Sequence, residues 1–91
     1  MNIKKIKMAL TIGLMKNKDA SNVMQILTDM MQNFREEVGS FLGQEEVGKR
    51  ALNAHHVQRS YAIEFERITL NVDLIANARN NTQVVKSFNL R

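Results

Sequence analysis

The chain has no cysteine, no proline and no tryptophan among its 91 residues. Without cysteine, disulfide staples, thiolate zinc sites and cysteine nucleophiles are excluded. With no proline and four glycines, turn punctuation is scarce for an all-β fold, which needs a turn every ~8–12 residues. No apolar run approaches the roughly 18–20 residues of a membrane span. Residues 8–15 behind Lys4, Lys5 and Lys7 look like a short signal-peptide core, but Lys16 and Lys18 follow directly and no small-residue cleavage site appears. A cytoplasmic location is the expectation, since a reducing compartment suits a chain without thiols.

What is present points to one folded domain over residues 1–91. An apolar content of 44% is ordinary for a globular chain and argues against disorder. The net charge of +4 is segregated: residues 1–18 carry five lysines and no acid, and residues 19–48 carry six acids against Arg35 alone. Lys49, Arg50 and Arg59 then form a basic patch, and the stretch from Arg79 is basic again. Alternating blocks of this kind suit antiparallel helices that pair with each other or with copies of themselves.

The spacing of apolar residues sets the expected fold. Steps of four and three run through Ala20, Met24, Leu27, Met31, Phe34, Val38 and Phe41, and again through Val47, Ala51, Ala54, Gln58, Tyr61, Phe65, Ile68, Val72 and Ile75. That is the seam of helices packed side by side at a shallow angle. The expectation is therefore an all-α, coiled-coil-like helical hairpin or bundle. It has a basic amphipathic helix over 2–16, a helix over 20–41, a long C-terminal helix over 44–79 and a tail over 80–91.

Three boundaries carry the argument. The first two helices are either separated near Asn17-Lys18, with Asp19 or Ser21 as a cap, or continuous from about 3 to 41. Gly39-Ser40-Phe41-Leu42-Gly43 is the expected turn, because Gly39 can adopt the left-handed conformation that ends a helix. Asn80-Asn81 is expected to end the last helix. A rival reading stays open for residues 61–74, where Ile63, Phe65, Ile68, Leu70, Val72 and Leu74 alternate in part as a strand pair would.

A helix from 44 to 79 would be about 54 Å long, so an elongated hairpin would need company to bury its apolar surface. Ile63, Leu70 and Leu74 lie on the face roughly opposite the Phe65, Ile68, Val72 and Ile75 seam, and Val23, Ile26 and Met30 form a second stripe on the helix over 20–41 too. A helix apolar on two sides is buried on two sides. The expectation is a homo-oligomer that also takes a protein partner. Its interface would comprise Leu27, Met31, Phe34, Val38, Tyr61, Phe65, Ile68, Val72 and Ile75, with Ile63, Leu70 and Leu74 behind them.

Candidate chemistry is thin. His55 and His56 are adjacent and point about 100° apart on a helix, so they do not share a metal as an i, i+4 pair does. Glu36-Glu37, Glu45-Glu46 and Glu64/Glu66 read as solvated charge rather than as a cleft with split pKa values. No GxSxG elbow and no phosphate loop exist. No catalytic residue, metal ligand or cofactor is assigned, and the expectation is a non-enzyme: an adaptor, assembly component, inhibitor or other accessory protein.

The alternative is nucleic-acid binding through Lys4, Lys5, Lys7, Lys16 and Lys18, with Lys49, Arg50 and Arg59 as a second patch. Attachment to a membrane by residues 3–14 is a third reading, and a membrane is not an expected partner. A helical hairpin of this length with Phe41-Leu42-Gly43 at its turn resembles the secreted effectors with a tryptophan-x-glycine turn. Phenylalanine stands here in place of tryptophan, and the C-terminal tyrosine-acid signal of that family is absent. No function is carried across from the resemblance.

Overall fold

A computed structural model describes residues 2–16 and 22–91. Its N-terminal part is helical because apolar residues recur one turn apart. Helix α1 spans Ile3–Lys16 and buries Ile6 and Leu10. Asn2 Oδ1 caps its first turn, accepting a hydrogen bond from Lys5 N at 3.1 Å. Helix α2, Val23–Met31, continues through a 3-10 turn, Gln32–Phe34, into the short helix α3, Arg35–Val38. Val23, Leu27, Met31, Phe34 and Val38 are all buried, a single inward stripe with steps of four, four, three and four. The expected break at Asn17-Lys18, and its caps Asp19 and Ser21, lie outside the described residues.

From residue 41 onward the chain is sheet. Strands β1 (Phe41–Ala51), β2 (His56–Phe65), β3 (Thr69–Asn77) and β4 (Thr82–Leu90) form one antiparallel meander in the order β1-β2-β3-β4. This overturns the all-α, coiled-coil-like bundle and its long helix over 44–79. The tail expected over 80–91 is an edge strand. Phe41-Leu42-Gly43 opens β1 instead of making a hairpin turn, so the likeness to the tryptophan-x-glycine effectors does not hold.

The physical reason lies in the weak members of the second seam. Ala51, Ala54 and Gln58 hold the four-three spacing but offer little apolar surface to a partner helix. The period-two signal is carried by bulkier groups: Ile63 and Phe65, then Leu70, Val72 and Leu74, all buried. β-Branched and aromatic residues fit a pleated, half-buried surface, and alternation puts these five on one face.

Two of the three strand-to-strand turns are built on asparagine. Between β1 and β2, Asn53 Oδ1 accepts hydrogen bonds from the backbone N of His55 and His56, at 2.9 and 3.0 Å. Between β3 and β4, Asn77 Oδ1 takes Arg79 N at 2.9 Å, and Asn80 Oδ1 takes Thr82 N at 3.2 Å. Asn81 sits at φ +56°, a left-handed position that asparagine tolerates. Asparagine side chains that bond their own backbone two residues on make such turns.

The helices cover one face of the sheet. Ile6, Leu10, Leu27, Met31, Phe34 and Val38 pack with Ile63, Phe65, Leu70, Val72 and Leu90 in one core. Phe65 also meets Phe41 edge-on, with ring centroids 5.9 Å apart. The start of α2 is tied to β4 by Val23 N, which donates to Gln83 Oε1 at 3.2 Å. The end of α3 and the residues after it are tied to the β2–β3 turn, where Arg67 N donates to Val38 O at 2.9 Å and Glu66 N to Ser40 O at 3.1 Å. Gly39 joins the two layers at φ +87°. The result measures 41 × 26 × 17 Å, far shorter than the ~54 Å of a helix over 44–79. No helix among the described residues is long and apolar enough to cross a membrane.

Candidate functional site

With the core assigned, the surface divides into two edges, one open sheet face and the outer side of the helix layer. Ten of the twelve residues expected at an oligomer or partner interface lie in the chain's own interior: Leu27, Met31, Phe34, Val38, Phe65, Ile68, Val72, Ile63, Leu70 and Leu74. Tyr61 and Ile75 are half-buried. The second apolar stripe therefore has a partner within the chain, because the sheet packs against the helices there.

The open face is polar and ordered by its own hydrogen bonds. Asp73 accepts the hydroxyls of Ser60 (2.5 Å) and Ser87 (3.2 Å), one from each neighbouring strand. Lys86 Nζ reaches across β3 to Gln58 Oε1 at 3.3 Å. Beside them, the side-chain nitrogen of Asn71 is buried with no protein partner.

Both edges of the sheet are interrupted. The β1–β2 register shifts at Leu42 and again at Val47, and the β3–β4 register shifts at Lys86. Bulges and edge lysines are the usual devices against strand-to-strand association. On β4 the regular stretches on either side of Lys86 still present an unpaired edge, because β4 pairs with β3 alone.

Between that edge and α1 runs an apolar groove of about 340 Å³, lined by Leu14, Met15 and Val23 from the helices and by Val84, Val85 and Phe88 from β4. The charged side chains of its two long walls, α1 and β4, are all basic. Helix α1 carries Lys4, Lys5, Lys7 and Lys16, strand β4 carries Lys86, and neither element holds an acid. Met15 and Val84 are 65% and 51% exposed, so two of the walls face solvent.

The basic residues do not converge. α1 packs over β4, whereas Lys49 and Arg50 lie on β1 and Arg59 on β2. Strands stand about 4.8 Å apart, so two or three spacings separate the groups. Lys49 pairs with Arg59 and Arg50 with Gln58, which puts Arg50 on the opposite face from the other two. Arg59 donates to the Tyr61 hydroxyl at 3.3 Å, and that bond is the main cause holding its pKa above the ordinary arginine value. Lys18 lies outside the described residues.

His55 and His56 sit at the β1–β2 loop, His56 Nδ1 lying 3.0 Å from Asn53 Oδ1. Among the described residues no group of three or more histidines and carboxylates is placed to hold a metal ion. Comparison with family models, curated proteins and solved structures found no match. Sequence reasoning missed the groove because its far wall, Val84, Val85 and Phe88, was placed in a tail.

Proposed function

We propose that this chain is a non-enzymatic protein-binding module whose partner lays an apolar segment flanked by acids into the groove between α1 and β4. The observation that carries the reading is the pairing of apolar walls with an unpaired strand edge. A segment in extended conformation gains backbone hydrogen bonds along β4 while its alternate side chains enter the groove. Lys86, in the lining of the groove, supplies charge complementarity, which sets partner choice and encounter rate more than affinity. The reducing compartment that suits a thiol-free chain supports the cytoplasm as the place of action.

Nucleic-acid binding has less support, since the separation of α1 from Lys49, Arg50 and Arg59 leaves no continuous basic track. Self-association through the groove has to overcome the meeting of two surfaces of the same sign.

The test is titration of the full chain with a peptide alternating valine and glutamate, followed by amide shifts. Shifts confined to residues 11–15 and 83–88, and lost in Val84→Glu, are the expected result. Absent shifts, or shifts centred on β1, would remove the groove as the docking site. Absolute mass by light scattering decides the occupant: a dimer abolished by Val84→Glu makes it a second copy.

A further inference from the structure

The outer side of α1 holds a second surface, which shares Met15 with the groove and extends away from it. At about 100° per residue, Met8, Ile12 and Met15 fall within about 60° of one another on the side of α1 opposite Ile6, Leu10 and Gly13. They are 66%, 48% and 65% exposed, while Ile6 and Leu10 are buried to within 1%. The apolar face that packs inward is thus not the only one, and the outer stripe is about 10 Å long.

Lysines border this stripe on both sides. By the same rotation Lys4 and Lys7 lie along one flank and Lys5 and Lys16 along the other, all four exposed. No acid interrupts the helix. Close to its inner side, a Cβ on Gly13 would overlap Met30 of α2, so α1 is held tightly against the layer beneath and presents its outer stripe on a fixed support.

We infer that the outer face of α1 docks flat on an anionic lipid bilayer. The argument is charge complementarity combined with shape. A convex ridge of flexible and branched apolar side chains, with a cation row on each side, matches an interface where the ridge enters the acyl boundary and the lysine stems reach up to phosphates. A folded protein partner would have to supply a concave acidic trough for the same ridge, whereas a bilayer deforms to it. Four lysines near a negatively charged leaflet each strengthen partition roughly fivefold. This goes beyond the groove and does not rest on it, since Met8 and Ile12 line no part of that groove.

The experiment uses the full chain with vesicles of phosphatidylcholine, with and without phosphatidylserine. Because the chain has no tryptophan, Ile12→Trp gives a background-free reporter at an exposed position, with circular dichroism checking the fold. Flotation with the anionic vesicles alone, with a blue shift of Trp emission, is expected. Lys5→Gln with Lys16→Gln should weaken flotation roughly 25-fold at low salt. Met8→Ser with Ile12→Ser should weaken it by about tenfold or more while leaving peptide binding in the groove intact. Equal binding to neutral vesicles, no flotation at low salt, or flotation without a blue shift would each overturn the proposal. So would a serine pair that floats like the parent, or DNA that binds the serine pair and displaces the vesicles.

Discussion

The sulfur of Met30 occupies the space that a Cβ on Gly13 would need. The two helices therefore meet where one of them has no side chain, and the neighbour in the way is the flexible end of a methionine. Gly13→Ala gains about 1 kcal/mol in helix propensity and loses about 1–3 kcal/mol by crowding Met30. A loss of up to about 2 kcal/mol is expected from these two effects. In a Met30→Ala background the crowding is gone, so adding Gly13→Ala should stabilise by about 1 kcal/mol. Urea unfolding of the four proteins in the cycle reads the change of sign.

Gly39 is less forgiving. Its backbone lies at φ +87° and ψ −170°, a region open in practice to glycine alone. A Cβ there would stand 2.5 Å from Glu66 Cβ. Gly39→Ala is expected to cost at least about 2 kcal/mol, measured as a lower midpoint with unchanged denaturant slope.

Glu66 links stability to pH. Its Oε1 accepts a 2.7 Å hydrogen bond from Ser40 N, and this bond is the main cause holding its pKa below the ordinary carboxylate value. A depressed pKa in the folded state stabilises above the unfolded value and loses that contribution as pH falls through the folded one. Glu66→Gln keeps an acceptor for Ser40 but does not titrate. The stability gap between the two proteins should be constant above about pH 6, narrow from about pH 5 downward, and vanish in acid. Equal acid limbs in thermal melts would contradict the assignment.

Buried and exposed positions should separate cleanly. Leu27→Ala, at a fully buried site, is expected to cost about 2–5 kcal/mol. Met8→Ser and Val84→Glu, at sites more than half exposed, should stay within about 0.5 kcal/mol of the parent. Phe65→Asp places a charge in the interior and should unfold the chain, giving loss of circular dichroism in place of an altered oligomer mass.

How much of this was legible depended on which residues carried the period. From α2 through the 3-10 turn to α3 the positions at four-three spacing are Leu27, Met31, Phe34 and Val38, large groups that make the helical stripe unambiguous. Gly39 was readable as a stop because only glycine accepts its backbone angles. Beyond it the same spacing ran through Ala51, Ala54 and Gln58, where a regular interval without bulk misled. The alternation over 61–74 was visible, and it was the true signal. β1 gave no such sign: it is an edge strand with two glycines and a largely exposed pattern, so neither period appears in it. The groove could not be read without knowing that Val84, Val85 and Phe88 form a strand under α1.

The placement of β4 sets an order on synthesis. Both α1 and α2 rest on this last strand, and Leu90 completes the core they share with β2 and β3. A growing chain makes its helices first and their seat last. Ile6, Leu10 and Leu27 thus have no complete surface to bury against while the first eighty residues leave the ribosome. Those side chains gain their full cover only once β4 has emerged and paired with β3.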